Sequence, residues 1–497
     1  MQQRVVLGAV ALVVIGAIVF RGTRHHEAGK ASVPGIQALL DNPPPGYAIQ
    51  HGAVDYNPLT STATIHDVRV AREGRVSWAA DTVTLSSADA SALRDVFDPA
   101  AYPNGKPAWT GRRLLLSDAA ANGVHATVYG PNKLEYTIGS VTLHRLSGRP
   151  FLLPPTPENR AKPEFAADAA LALAADSVVE TDTVLKGGGD QDARVTIASI
   201  EASNYDGGKI GSFLVKTVAL DAKGKRGEPV HGTLDSFSIK DADATRVLRA
   251  IQQDDKTATP LSLSAYSSFD LSRLDLNLSG RTAIQVTDFH AEQGEPDSDG
   301  VRTGHAALHG MTIGLAAGAA LPPTSEDAIA AFGMRSVTLD IDGSGRGKPG
   351  GENEVTEDVM LHDLGTLHLK AVVEGYVAPP GNSAAPAAMA ALLTTKLERA
   401  TLSWDDASLT DRIFKVAAAQ GHTTPELIRS QLAMPILALG VLVPDQPDAA
   451  DQLTAFLDHP HNLTVTLKPQ APISLGEVAR APATDRAHLL GLHVTGN

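Results

Sequence analysis

Cysteine is absent from the 497-residue chain, which removes disulfides, thiol nucleophiles and cysteine-ligated zinc together. The absence is compatible with an oxidising compartment, where a stray thiol is a liability, but does not require one. Aromatic residues are only 4% of the sequence, while Ala, Gly, Leu, Val, Ser, Thr and Asp dominate. Small and β-branched side chains suit many short strands joined by turns, and fit neither a coiled coil nor a disordered polymer. Positive charge is scarce as well, the net charge being −14. The first thirty residues run the other way: Arg4, Arg21, Arg24 and Lys30 against Glu27 give +3, leaving −17 on the remainder. Such a surface repels polyanions, and no basic stripe with interleaved aromatics offsets the repulsion, so nucleic acid is not expected as a partner.

Catalytic signatures are missing too. There is no G-x-S-x-G elbow and no H-E-x-x-H, and scattered Ser, His and Asp residues cannot define a triad. The Gly-rich pieces KGGGD at 186–190 and DGGKIGS at 206–212 lack P-loop and dinucleotide-binding spacing and read as turns. The expectation is a protein that is not an enzyme and carries no cofactor or metal.

What is present begins with residues 5–20, VVLGAVALVVIGAIVF, a run without charge between Arg4 and Arg21. A transmembrane anchor, a cleavable signal peptide and a buried helix compete for it. Sixteen residues are slightly short for a hydrocarbon core of roughly 30 Å, but Arg4 and Arg21 can snorkel and extend the span. No A-x-A-like site follows closely, which favours an uncleaved anchor with the acidic bulk of the chain exported. A Pro-rich spacer at 42–46 then leads into alternating segments.

Residues 49–56, 62–70 and 76–85 read as three strands, with a turn at Asn57-Pro58. The theme returns at Leu114/Leu116, Val124/Val128 and Tyr136/Ile138/Val141/Leu143, and again around Asp206-Gly207-Gly208, a hairpin signal. Residues 335–376 hold its clearest copy: Val337, Leu339 and Ile341 alternate, a Gly-rich polar turn follows, and Val359/Leu361 and Leu367/Leu369 resume before Val373. The period is irregular, so the repeat is degenerate. Helices are expected at 244–253 and 325–332, and from 386 onward they increase. There 387–397 reads helical and 398–409 a strand pair containing Trp404. A helix opens with a capping-box-like Ser408/Asp411 and ends at Gly421. A second starts at Thr424-Pro425, with Pro435 expected to kink or split it. A third spans 449–457, before LTVTLKP and a final strand at 489–494. Pro-rich linkers at 151–163 and 377–386 give the boundaries, hence a signal anchor at 1–30, β-meander regions at 31–160 and 161–380, and a helical cap with returning strands at 381–497.

Three sets of residues invite a ligand. Asp340, Asp342, Ser344 and Gly345 mimic the first half of a calcium loop, but position twelve falls on Gly351, with Glu352 one residue late, so a solvated turn is expected; Asp297, Asp299 and Gly300 read the same way. His305 and His309 sit four apart, and His290 and His362 could approach them if neighbouring strands pair. The segment looks strand-like and no supporting carboxylate is evident, so strand-surface histidines are expected rather than a metal site. The amphipathic terminal helices could dock a partner, although packing on their own sheet is favoured.

The stretches DYNPLTSTATIHDVRV, NYDGGKIGSFLVKTVAL and FGMRSVTLDIDG, behind an N-terminal anchor, give the chain an organisation that resembles the AsmA-like and TamB-like envelope proteins of Gram-negative bacteria. The resemblance covers about 45–380, is one of pattern, and transfers no functional residue. It implies an elongated antiparallel β-meander sheet forming a groove with an apolar lining, used in moving or organising lipid. The expected fold is therefore mainly β (α+β), with an N-terminal transmembrane helix and a helical C-terminal cap. Val337, Leu339, Ile341, Leu367, Leu369 and Val373 are the candidate groove lining. The expected function is binding or transfer of lipid, or organisation of the envelope, by an inner-membrane, single-pass protein whose bulk lies in the periplasm. Its candidate partners are the membrane through residues 5–20, phospholipid and envelope proteins. The alternative is a structural or interaction module without a small ligand.

Overall fold

The computed structural model describes residues 40, 47–72, 76–128, 134–160, 162–187, 193–224, 227–253, 266–279, 281–314, 332–376, 393–442, 446 and 448–496. Residues 5–20 lie outside these, as do residues 325–331 of the helix expected at 325–332, residues 387–392 and the linker at 377–386. Among the described residues no helix is long and apolar enough to cross a membrane. The protein is mainly β: the described residues form twenty strands with a few helices, every register-defined pair antiparallel. It divides into two units, residues 1–229 with 233–266, and residues 230–232 with 267–497.

The first unit is a meander. Its strands are β1 (Tyr47–Gln50), β2 (Val54–Asn57), β3 (Thr62–Arg72), β4 (Val76–Ser86), β5 (Arg113–Val128), β6 (Leu134–Gly148), β7 (Leu173–Gly187), β8 (Ala193–Asp206), β9 (Lys209–Lys223) and β10 (Pro229–Asp243). From β3 onward each pairs with the next, while β1 and β2 share β3 as partner. The expected strand at 49–56 is therefore two short ones, broken at residues 51–53. At the Asn57-Pro58 turn the Leu59 N–H donates to Asn57 Oδ1 at 3.0 Å. The β8–β9 hairpin turns on Gly207 and Gly208, both at positive φ, as the Asp-Gly-Gly signal requires.

Alternation buries one face of β3–β6: Ala63, Ile65, Val68, Val70, Val83, Leu85, Leu143 and their neighbours are nearly inaccessible. Helix α1 (Ala90–Phe97), not foreseen in the sequence, covers that face with Leu93, Val96 and Phe97, and Asp89 caps it by accepting from the Ala92 N–H at 2.9 Å. Phe151, the first residue of the segment read as a linker at 151–163, belongs to this core. Phe151 is 1% exposed and stands edge-on to Phe97 and to Phe165 of helix α3 (Pro163–Ala172), which follows the single turn α2 (Pro157–Arg160). Asp168 of α3 is buried, and its charge is met by Arg149 at 2.8 Å, by the Leu152 N–H at 2.5 Å and by Gln252 at 2.8 Å. Gln252 ends helix α4 (Thr245–Gln252), which lies where the sequence places it.

The second unit holds β11 (Ser268–Leu278), β12 (Arg281–Gln293), β13 (Arg302–Gly314), β14 (Ser336–Gly347), β15 (Glu352–Leu361), β16 (Gly365–Glu374) and β17 (Lys396–Asp406), each paired with its successor. Strands β18 (Asn462–Leu467) and β19 (Ile473–Ser474) both pair with β17, and β20 (Leu492–Gly496) pairs with β18. Between β17 and β18 run α5 (Leu409–Gln420), α6 (Pro425–Leu442) and α7 (Ala449–Asp458); α8 (Leu475–Arg480) and α9 (Ala483–Leu490), both unforeseen, precede β20. The backbone of β20 is met by side chains: the Val494 N–H donates to Gln446 Oε1 at 2.7 Å and the Gly496 N–H to Gln452 Oε1 at 2.9 Å.

Several expectations are corrected in this unit. DIDGSGRG is not a turn: β14 continues through Gly343, Gly345 and Gly347, paired on both sides, and the turn is at residues 348–351. Residues 396–406 form one strand rather than a strand pair, because β16 flanks them on one side while β18, at 400–405, and β19, at 396–397, pair with them on the other. Pro435 does not split α6. Ser408 precedes α5 but does not cap it; Asp406 accepts from the Thr410 N–H and hydroxyl at 3.0 and 2.6 Å, while the Ser408 hydroxyl donates to the Asp363 carbonyl. The last strand is β20, three residues later than expected, because α9 occupies 483–490.

Candidate functional site

Register converts the alternation of β13–β18 into two faces of opposite chemistry. On one, Leu308, Ile341, Val359, Leu367, Trp404 and Leu463 form a row across six strands. The rows beside it hold Leu339 with Leu361, and Leu369 with Leu402 and Val465. All six residues expected to line an apolar groove (Val337, Leu339, Ile341, Leu367, Leu369 and Val373) lie on this face, and all are half-buried. The face continues onto β11 and β12 through Leu271 paired with Phe289, and the Phe269 and Phe289 rings meet edge-on at 5.4 Å.

Coverage distinguishes this face from the core of the first unit. There, Ile65, Leu85 and Leu143 are 1–2% exposed, whereas here Ile313, Val355 and Leu402 are 37%, 39% and 41% exposed. An apolar sheet face in that state leaves water in contact with large side chains, at a cost of about 25 cal/mol per Å² relative to burial. Glu357 interrupts the face between Gly343 and Leu369. At one end, Gly365 lies so close to the Trp404 ring and the Asp405 carbonyl that a Cβ would not fit. The Trp404 indole N–H donates to Asp406 at 2.9 Å, fixing that ring in the row.

The opposite face is polar and carries cross-strand histidine–aspartate pairs. His290 Nδ1 is 2.6 Å from Asp270, His309 Nδ1 2.7 Å from Asp288, His305 Nε2 3.0 Å from Asp342, and His362 Nε2 2.8 Å from Asp340. His368 touches two carboxylates, Asp358 at 2.6 Å and Asp405 at 3.2 Å. The hydrogen bonds to Asp270, Asp288 and Asp358 raise the pKa values of His290, His309 and His368 respectively, against a smaller opposing effect of burial. The Asp340 carboxyl is held below its ordinary value: burial opposes this, but the Gly310 N–H at 2.6 Å and His362 outweigh it.

Asp340 and Asp342 are therefore partners of histidines on a strand, not the start of a calcium loop. Asp297 does hold a turn, accepting from the Asp299 and Val301 N–H groups at 2.9 Å. His305 and His309 do not meet as an i, i+4 pair: each faces its own aspartate. His290 approaches His305, with ring centroids 6.3 Å apart, and Glu292 joins them; ligand atoms of these three all lie within 4.8 Å of one another. Glu292 was not anticipated from the sequence. Its signal is the His290-x-Glu292 spacing, which puts both side chains on one face of a strand, with Glu292 directly opposite His305.

A family model described as an uncharacterized protein matches residues 358–497, from the end of β15 to the C-terminus. No curated protein matches the chain.

Proposed function

We propose that this chain is a membrane-anchored, periplasmic protein of the Gram-negative envelope that binds or transfers lipid, with the apolar face of β11–β17 receiving acyl chains. One observation carries the reading: an apolar face, set in register over seven strands and interrupted at Glu357, whose large side chains stay partly exposed among the described residues. Each methylene buried there is worth about 0.8 kcal/mol, so a single acyl chain supplies enough to hold a phospholipid. Bulges that bend individual strands favour a concave seat over a flat one. The uncharged run at 5–20, read as an anchor, and the resemblance to envelope groove proteins support the location. The reading involves no catalysis.

A second reading, a protein-interaction module, draws on α5 and α6, where Ile413 and Leu427 are about half exposed. Lipid content separates the two. Mass spectrometry of the full chain purified from a bacterial envelope in mild detergent is expected to find bound phospholipid whose amount falls several-fold on Leu339→Asp or Leu369→Asp. Ser344→Asp, on the opposite face, is expected to leave it unchanged. Equal lipid in all variants, attributable to the anchor alone, overturns the lipid reading and favours the interaction module.

A further inference from the structure

The polar face of the second unit carries a feature that neither lipid binding nor sheet stability requires. His290, Glu292 and His305 converge from two neighbouring strands, and we propose that they form a site for a divalent transition cation of the zinc class. The placement follows from register. His290 and Glu292 are two apart on β12 and so share a face, and the β12–β13 pairing sets Glu292 directly against His305. His290 Nε2 lies 3.5 Å from Glu292 Oε2. Tetrahedral ligands at zinc, with bonds of about 2.0–2.1 Å, stand roughly 3.3 Å apart, so this pair is already near ligating separation. The third donor, on His305, lies within 4.8 Å of both and is brought in by a rotamer adjustment.

The surroundings complete the case. The other nitrogen of His290, Nδ1, is held by Asp270 on β11, which orients the ring and leaves Nε2 toward Glu292. Asp342 on β14 holds the His305 ring through Nε2 at 3.0 Å, which leaves Nδ1 as the donor of that ring. A carboxylate behind each ligating imidazole is the arrangement that fixes ring orientation and strengthens the donor at metal sites. Two imidazoles and one carboxylate select zinc-like cations over calcium or magnesium, which take all-oxygen sets. The three side chains are solvent-accessible, so a cation has a path in, and three protein ligands leave a coordination position for water or an outside ligand. Among the described residues the other histidines of this face, His309 with Asp288, His362 with Asp340 and His368 with Asp358 and Asp405, do not bring three donor atoms within 4.8 Å of one another.

Zinc competition between the full chain, in detergent, and a chromophoric chelator tests the assignment, with cobalt as a spectroscopic probe. The native chain is expected to bind one equivalent of zinc, and its cobalt form to show the visible absorption of a low-coordinate site. His305→Ala and Glu292→Gln are expected to weaken zinc binding about tenfold or more. Asp270→Asn, acting through His290, is expected to weaken it about tenfold to a hundredfold. His309→Ala, on the same face, is expected to leave it unchanged. Circular dichroism checks that each variant folds, and if His305→Ala does not, His290→Gln takes its place. Failure of the native chain to compete for zinc, an unchanged affinity in the folded ligand variants, or an equal loss in His309→Ala overturns the site. None of these outcomes bears on lipid binding, which is assigned to the opposite face.

Discussion

His368 joins three strands through its ring, with Asp358 on β15 at one nitrogen and Asp405 on β17 at the other. Its folded-state pKa is raised, first by the Asp358 hydrogen bond and then by Asp405, so the protonated form is preferred in the native sheet. The stabilisation from the pair is complete below the ordinary histidine value of about 6.5 and is lost as pH rises through the higher folded value. The ring is 45% exposed, which keeps the effect small. NMR titration is expected to place the His368 midpoint above that of a free histidine, with Asp358→Asn moving it down. Melting of the native chain is expected to fall more between pH 6 and pH 8 than that of Asp358→Asn. At this scale the sequence was only partly legible. His290, His305, His309 and His362 are visible as strand-surface histidines, but their aspartate partners and Glu292 come from strand register, which the spacing along one strand does not carry.

At the scale of elements, alternation located most strands, and its lapses have a physical cause. Asp67, Arg145, Asp182, Asn204, Thr217, Asp241 and Arg273 have positive φ inside strands, as do Gly123 and Gly310. Several of them shift the phase, as where Ile65 and Val68 both face inward around Asp67, and Leu143 and Leu146 around Arg145. Gly123 shows what such a position demands: φ is +58° and a Cβ would collide with the Asp81 carboxylate. Gly123→Ala is expected to destabilise the first unit by about 2 kcal/mol in chemical denaturation, roughly 1 of it from the left-handed backbone. Adding Asp81→Ala is expected to recover only the remainder; full recovery would mean that the backbone conformation carries no strain. Glycines also misled in the other direction. The Gly-rich segment after Ile341 resembles a turn, yet pairing with both β13 and β15 holds it extended, because tertiary context overrides weak strand propensity. Helices α1, α3, α8 and α9 were missed since each is short and without a long apolar period.

At the scale of the whole chain, the two units use one pattern for different ends. In the first, helices and the segment around Phe151 cover the apolar face of β3–β6 and complete a core. In the second, the apolar rows of β11–β17 stay half-exposed while the reverse face is tied by histidine–aspartate pairs. The meander character and the apolar rows were legible because period-2 alternation survives over most of the strands that carry them, as in β14 and β15. Coverage was not, because it depends on which segments pack on the face, and nothing in a strand records that. The central claim, that the apolar face receives acyl chains, is tested most directly by photo-crosslinking. A benzophenone amino acid is placed at Leu369 or at its neighbour Lys370, which points to the opposite face, in the full chain in a Gram-negative host. The account expects a phospholipid adduct from position 369 and none from position 370. Adducts at neither position, or equally at both, would contradict it.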